Sequence, residues 1–405
     1  MRRVLVIHNS LVLGGAELSL CDFIEAAVLE RRFQFFVACP SGAAVGARLE
    51  RLGVPTLPIT PLAPRRPRGL LSALRLLLLI LRINWQVRQW IRRKRIALVH
   101  ANNTFACLQG LLAAKLAGVP IVWHVRDAVR LPSPGHLLQT SVDHTITVSD
   151  AVRRAVFDRR ARRVSTIYNG VRVDPGASAF GEDLAGADPG GAPGADIITV
   201  AQFVPWKRHL VTLQVAAQLK ARLGRIRVVL VGPEHDRAAR AYAGALRRTA
   251  EAMGLADSVV FAGERADVHR LIARSRLLLH PSLGEPMGRV VVEAFFLGTP
   301  VVAADSGGVA ELIEPGVTGI LVPPDDLEGF VSATEAILSR GRPAQMIHTA
   351  YRRACERFAP PCQSQKVLAI YEGLRPRAPP RLPRPTRPRV PRGVDPILRA
   401  LARQR

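Results

Sequence analysis

Leu277-Leu-Leu-His280-Pro-Ser-Leu-Gly-Glu285-Pro-Met-Gly288-Arg-Val-Val-Val-Glu293-Ala-Phe-Phe-Leu-Gly298-Thr-Pro300 is the stretch from which the rest of the chain can be read. Its first four residues form an apolar run of strand length. A Pro/Gly loop follows, and a helix starts at about Gly288 and is stopped by Gly298 and Pro300. Strand, tight loop and helix in that order make one repeat of a parallel α/β sheet. Inside the helix, Glu293 is surrounded by Val290, Val291, Val292, Ala294, Phe295 and Phe296, so the element is apolar on every side. Packing does not favour a carboxylate there, so it needs a charged partner or a ligand. The two readings are a buried pair with some arginine and a ligand contact at the cleft end of the helix, and the second is preferred.

The same alternation extends both ways. Apolar runs at 197–201, 226–231, 258–262, 277–280 and 301–304 read as buried strands, with helices near 207–223, 237–253, 267–274 and 289–297. In the first half, runs at 4–8, 33–39, 54–59, 97–101, 121–125, 145–149 and 164–168 repeat the pattern. This predicts an α/β fold of two Rossmann-like domains whose parallel sheets face one another across a cleft. The first domain spans 1–172 and the second 196–358, joined by an aperiodic Gly/Pro/Ala-rich linker over 173–195. A final helix over 359–374 returns towards the first domain. The Pro/Arg tract over 375–405 cannot form a core and reads as disordered.

Composition agrees with that plan. A chain of 405 residues holds two or three domains at roughly 150 each, and 48% hydrophobic with 22% charged residues excludes whole-chain disorder. The longest apolar run, 70–87, is broken by Arg75 and Arg82, so no membrane span is expected. Five cysteines without a CxxC pair, and Met1-Arg2-Arg3 running straight into an apolar strand, predict a reducing, cytoplasmic setting without a signal peptide. The net charge of +25 is concentrated: residues 61–100 carry ten Arg/Lys and no acid, and 371–405 carry ten Arg against Glu372 and Asp395. Charge therefore speaks of surfaces. Aromatics at 5% leave nucleic acid a weak partner.

The chemistry narrows by exclusion. Glu285 lies eight residues before Glu293, about 12 Å along a continuous helix, beyond the ~5–9.5 Å between the carboxylates of glycoside hydrolases. The helix start between them offers free amides at 287–290 as an anion site. No Gly-x-Gly-x-x-Gly turn follows the first strand of either half, which argues against a dehydrogenase. No Cys/His cluster or Asp-x-Asp is present, so no metal is expected.

The residues Gly284-Glu285-Pro-Met-Gly-Arg-Val-Val-Val-Glu293-Ala, the block Ala304-Asp-Ser-Gly-Gly-Val-Ala-Glu311 onward to Asp326, and Gly14-Gly15-Ala-Glu17 after the first strand carry a resemblance. Over about 4–374 the chain resembles the retaining nucleotide-sugar glycosyltransferases of family 4, which have the GT-B fold. The resemblance implies transfer of a sugar from a nucleotide-diphosphate donor to an acceptor hydroxyl, with retention by same-face attack and no cofactor beyond that co-substrate. It implies that Glu293 binds the donor ribose, that Glu285 contacts the donor sugar, and that amides of Met287, Gly288, Arg289 and Val290 take sugar hydroxyls and diphosphate. Lys207 matches the lysine that neutralises the departing diphosphate. Where many members carry an arginine five residues earlier, this chain has Gln202, which removes one positive charge from the phosphate site. His124 matches a histidine facing the donor sugar, so Glu285, His124 and Lys207 form the expected catalytic set. Gly15, Gln202, Gly263 and Glu264 complete the donor side, the last two beside the nucleobase, and Gly14, Asn102, Asn103 and Asp127 make the acceptor side.

The acceptor's class stays open between a glycan, a lipid-linked molecule and a small molecule. Residues 65–95 combine a Leu/Ile stripe and two tryptophans with many arginines, which suits contact with an anionic membrane surface on the cytoplasmic side. An ordinary sheet-covering helix with a solvated basic face has equal standing. The alternative to an enzyme is a basic membrane- or nucleic-acid-binding protein that merely keeps the fold, and Glu293 within its apolar helix argues against it.

Overall fold

The computed structural model describes residues 1–62, 69–127, 134–157, 161–177 and 195–376. The first domain runs β1 (Arg2–Ile7), α1 (Gly15–Leu29), β2 (Phe33–Cys39), α2 (Ala44–Glu50), β3 (Thr56–Pro58), α3 (Leu70–Arg93), β4 (Leu98–Ala101), α4 (Thr104–Ala117), β5 (Ile121–Val125), α5 (Pro134–Ser141), β6 (His144–Thr147), α6 (Asp150–Val156) and β7 (Val164–Thr166). Its strands lie in the order β3-β2-β1-β4-β5-β6-β7, paired in parallel throughout.

The second domain runs β8 (Ile197–Val200), α7 (His209–Leu223), β9 (Val228–Val231), α8 (Arg237–Ala252), β10 (Val259–Gly263), α9 (Val268–Arg274), β11 (Leu277–His280), α10 (Arg289–Phe296), β12 (Val301–Ala304), β13 (Ile320–Val322), α11 (Leu327–Arg340) and α12 (Ala344–Phe358). Its order is β10-β9-β8-β11-β12-β13, again parallel. Helices on both faces bury such strands completely, which is why they read as unbroken Val/Ile/Leu runs. The two-domain parallel fold is the one expected, and four strands coincide with the sequence reading at both ends. The sequence reading had not separated out β13, α11 and α12.

The last helix, α13 (Pro360–Gly373), lies on the first domain, with Val367, Leu368 and Tyr371 buried in the core that also holds Phe23 and Phe33. The Tyr371 ring meets Phe33 edge-on at 5.6 Å, and its hydroxyl lies 2.7 Å from His100 Nδ1. Another apolar cluster reaches from Ile7 and Trp123 in the first domain to Val291 and Phe295 in the second.

One expectation is corrected. Despite Arg75 and Arg82, α3 is long and apolar enough to cross a membrane, because basic residues are sparse over its first four turns. It nonetheless covers the sheet: Ile83, Val87 and Ile91 are buried. Of the expected linker over 173–195, residues 178–194 lie outside the described residues, as do 377–405 of the tract beginning at 375 and 65–68 of the basic segment.

Candidate functional site

In each sheet the strand order reverses beside the first strand, and loops leaving the carboxyl ends of the two strands at that point open a crevice. In the second domain these strands are β8 and β11, which pair directly. The loop after β8 carries Gln202 and Lys207, and the loop after β11 carries Glu285 through Gly288. In the first domain they are β1 and β4, leading to Gly14-Gly15 and to Asn102-Asn103.

Lys207 Nζ is ion-paired with Glu285 Oε2. The ammonium also lies 4.1 Å from the centre of the Trp206 ring. His280 Nε2 approaches the same carboxylate oxygen at 3.6 Å. Burial pushes the Glu285 carboxyl up, but the neighbouring His280 ring and the Lys207 charge outweigh it and hold it at about 2.

Glu293 is 7% exposed. Its Oε1 accepts from Arg289 Nε at 2.7 Å, one helical turn away, with His269 Nε2 at 3.9 Å. Burial raises its carboxyl, and the neighbouring His269 ring with the Arg289 charge brings it below the ordinary range. Arg289 also reaches the first domain, where Nη1 donates to Asp22 Oδ2 at 2.8 Å and Nη2 to the Arg172 carbonyl at 3.3 Å. The arginine partner that the sequence left open is thus Arg289, at the cleft itself.

The opposite wall is close. A Cβ on Gly15 would lie 3.9 Å from Arg289 Cδ, and one on Gly14 would lie 3.8 Å from Gln202 Nε2, so the two glycines face the second domain directly. The Gly14 amide donates to Glu17 Oε2 at 3.0 Å. The start of α10 is set by Gly288, whose φ of +93° is in the left-handed region and whose Cβ would meet Val309 Cγ2 at 2.6 Å. Beneath it, the Gly308 amide donates to the Glu285 carbonyl at 2.7 Å, and a Cβ on Gly308 would strike Pro286 O at 2.3 Å. Met287 is buried, its sulfur accepting the Asn169 amide. The Val291 amide turns back to the Gly288 carbonyl at 3.0 Å, and the first amides of a helix, which its own carbonyls do not reach, favour an anion.

The other expected residues have surroundings of their own. His124 is buried edge-on to His100 at 5.3 Å, and neither of its ring nitrogens has a protein partner among the described residues. Burial, with the Arg126 charge, pushes it well below the usual histidine range, so it is neutral. Asn102 is buried between His8 Nδ1 at 3.2 Å and Arg126 Nε at 2.9 Å. Asn103 caps α4 by accepting the Ala106 amide at 2.8 Å. Asp127 is exposed just beyond β5. Gly263 ends β10 with its carbonyl bound to the Gly232 amide at 2.9 Å, and Glu264 is exposed beside it.

Three residues went unread in the sequence. Asp22 lies in Leu20-Cys21-Asp22-Phe23-Ile24, and the argument used for Glu293 would have found it. Arg126 is buried, donates to Asn102 and to Asn169 Oδ1 at 2.9 Å, and leaves Nη2 without a protein partner among the described residues. Glu311 accepts the amides of Asp150 at 2.9 Å and Ala151 at 2.5 Å and the Tyr168 hydroxyl at 2.8 Å, so a second-domain carboxylate caps a first-domain helix.

Comparison with known proteins agrees with the two-domain fold. A family model described as Glycosyltransferase Family 4 matches residues 13–175, and one described as Glycosyl transferases group 1 matches residues 194–340. The D-inositol 3-phosphate glycosyltransferase of Mycobacterium sp. (strain JLS) is 29% identical over 296 residues, 70% of this chain and 63% of that protein. Its namesake from Rhodococcus jostii (strain RHA1) is 31% identical over 298 residues, with the same 70% and 63% coverage. The chain thus spans 63% of the length of these curated relatives. The crystal structure of Anabaena Alr3699/HepE in complex with UDP and glucose superposes with a TM-score of 0.73 at 26% identity, covering 92% of this chain and 100% of that one. Its complex with UDP-glucose gives 0.72 at the same identity and coverage.

Proposed function

The chain belongs to glycosyltransferase family 4, with the GT-B fold, and from that membership we propose that it moves a sugar from a nucleotide-diphosphate donor to an acceptor hydroxyl. The observation that carries the reading is the convergence of the Lys207–Glu285 and Arg289–Glu293 pairs at the start of α10, with Gly14 and Gly15 opposite. In this reading the donor diphosphate sits at the α10 amides and draws Lys207 towards it, so leaving-group charge is met by protein groups and no metal is called for. Glu293 takes the ribose hydroxyls, Glu285 a hydroxyl of the donor sugar, and Gly263 with Glu264 the base. The acceptor lies on the side of Gly14, Asn103 and Asp127.

The acceptor oxygen attacks the anomeric carbon on the face from which diphosphate leaves. The bond from that carbon to the phosphate oxygen breaks, the acceptor's proton passes to the departing diphosphate, and configuration is retained. Uridine donors are the first to try, because the Anabaena relative was solved with UDP-glucose.

The test is thermal stabilisation of the protein by UDP, GDP, ADP and dTDP sugars, with Glu293→Ala as control. Stabilisation by one nucleotide class that the control lacks supports the reading, and none with any donor rejects it. The anomer first released during slow donor hydrolysis, followed by NMR, tests retention.

A further inference from the structure

Helix α3 has two apolar faces, and only one has a partner. Ile83, Val87 and Ile91 are buried against the domain. On the other side Leu70, Leu74, Leu77, Leu78, Leu81 and Trp85 are all exposed, Leu70 by 87% and Trp85 by 63%. At about 100° per residue these six fall within an arc of roughly 100°. They form one continuous stripe, of a kind that solvent-facing surfaces rarely carry without a partner.

Charge identifies the occupant. Exposed Arg75 and Arg82 border the stripe, Arg88 and Arg92 prolong it, and no acidic residue occurs between Glu50 and Asp127. A second copy of this face would bring cation against cation. We propose that this face of α3 lies on an anionic lipid bilayer, leucines and Trp85 entering the interface and the arginines meeting lipid phosphates.

The helix rests on the surface and does not cross it. Buried Asn84 donates to the Leu108 carbonyl at 2.8 Å and accepts the Ala113 amide at 3.0 Å, which pins α3 to α4. Helices in a parallel sheet run opposite to the strands, so the leucine-rich start of α3 lies at the edge carrying Gly14 and Asn103. The link leading to it is tied there too, since Asn9, in the loop after β1, exchanges two hydrogen bonds with the Leu62 backbone. Docking therefore brings the mouth of the cleft to the lipid surface.

The test is sedimentation of the full chain with vesicles of phosphatidylcholine alone and of phosphatidylcholine mixed equally with phosphatidylglycerol. Binding to the anionic vesicles is expected, weakened roughly tenfold or more in the triple variant Leu77→Ser, Leu78→Ser, Leu81→Ser. Arg75→Glu with Arg82→Glu is expected to abolish the preference for anionic lipid. Unchanged thermal unfolding shows that these exposed positions leave the fold intact. No binding, or equal binding by wild type and triple variant, overturns the proposal. So does self-association that the triple variant loses while vesicles bind neither protein.

Discussion

Arg289 joins Asp22 of the first domain to Glu293 of the second, with one nitrogen 2.8 Å from the aspartate and another 2.7 Å from the glutamate. A single guanidinium thus couples the carboxylate assigned to the donor ribose with the relative position of the domains. A ligand that takes over Glu293 frees part of the group that holds Asp22.

Asp22→Asn leaves Arg289 half-paired at the boundary. It should cost about 1–3 kcal/mol, read as a lower denaturant midpoint, and should raise the radius of gyration in solution scattering. Unchanged stability together with unchanged dimensions contradicts a bridging role.

Glu293→Ala should weaken donor binding roughly 10- to 150-fold, as expected for loss of a hydrogen bond to a charged group. Lys207→Ala should act mainly on turnover, by ~10²–10³-fold, because it removes charge stabilisation of the leaving group. Donor titration and kcat, measured separately, distinguish the two effects.

Acid should destabilise the protein well above the carboxylate range. Burial, with neighbouring cations, lowers His8 to about 4, His100 to about 3 and His209 to about 4, from 6.5. Between these values and 6.5 the unfolded chain binds protons that the folded chain does not. Stability therefore rises with pH across that window and is lost as pH falls through it, by about 1.4 kcal/mol per pH unit for each proton. Glu285, held at about 2 against an ordinary 4.5, adds a further loss below 4.5. Lys207→Met should act mainly on that lower limb, since Lys207 is only a minor contributor to the lowering of His209. Denaturant midpoints from about pH 7 to about pH 3 give both slopes, and a flat profile from 7 to 4 is incompatible with neutral buried histidines.

Gly288→Ala forces a side chain into a left-handed backbone and against Val309, at an expected cost of about 1–3 kcal/mol. Because Gly288 starts α10, donor-induced stabilisation should also fall. Gly42→Ala is the control: it has a comparable φ of +77° with open space around it, and it should lose stability alone.

The fold was legible because both faces of each sheet are covered, which makes a strand such as Phe33–Cys39 or Leu277–His280 a short apolar word. β13, only three residues at Ile320–Val322, escaped because it lies between Gly319 and Pro323-Pro324 in a loop-like stretch. Lys207 and Glu285 were singled out separately, but their meeting was not readable. They are 78 residues apart and converge only because β8 and β11 are neighbours in the sheet. Asp22 and Glu311 were missed for a related reason. The apolar setting of Asp22 shows that it needs a partner, but that Arg289 supplies one, and that Glu311 meets the start of α6, depends on contacts between domains that no local pattern announces.

Tyr371 has a consequence for biosynthesis. It fills the core of the first domain and reaches His100, yet it is made after the whole second domain. Domains emerging from the ribosome generally fold in chain order. Here the half of the chain that is synthesised first must wait with an open seam between Phe33 and His100 until α13 arrives to close it.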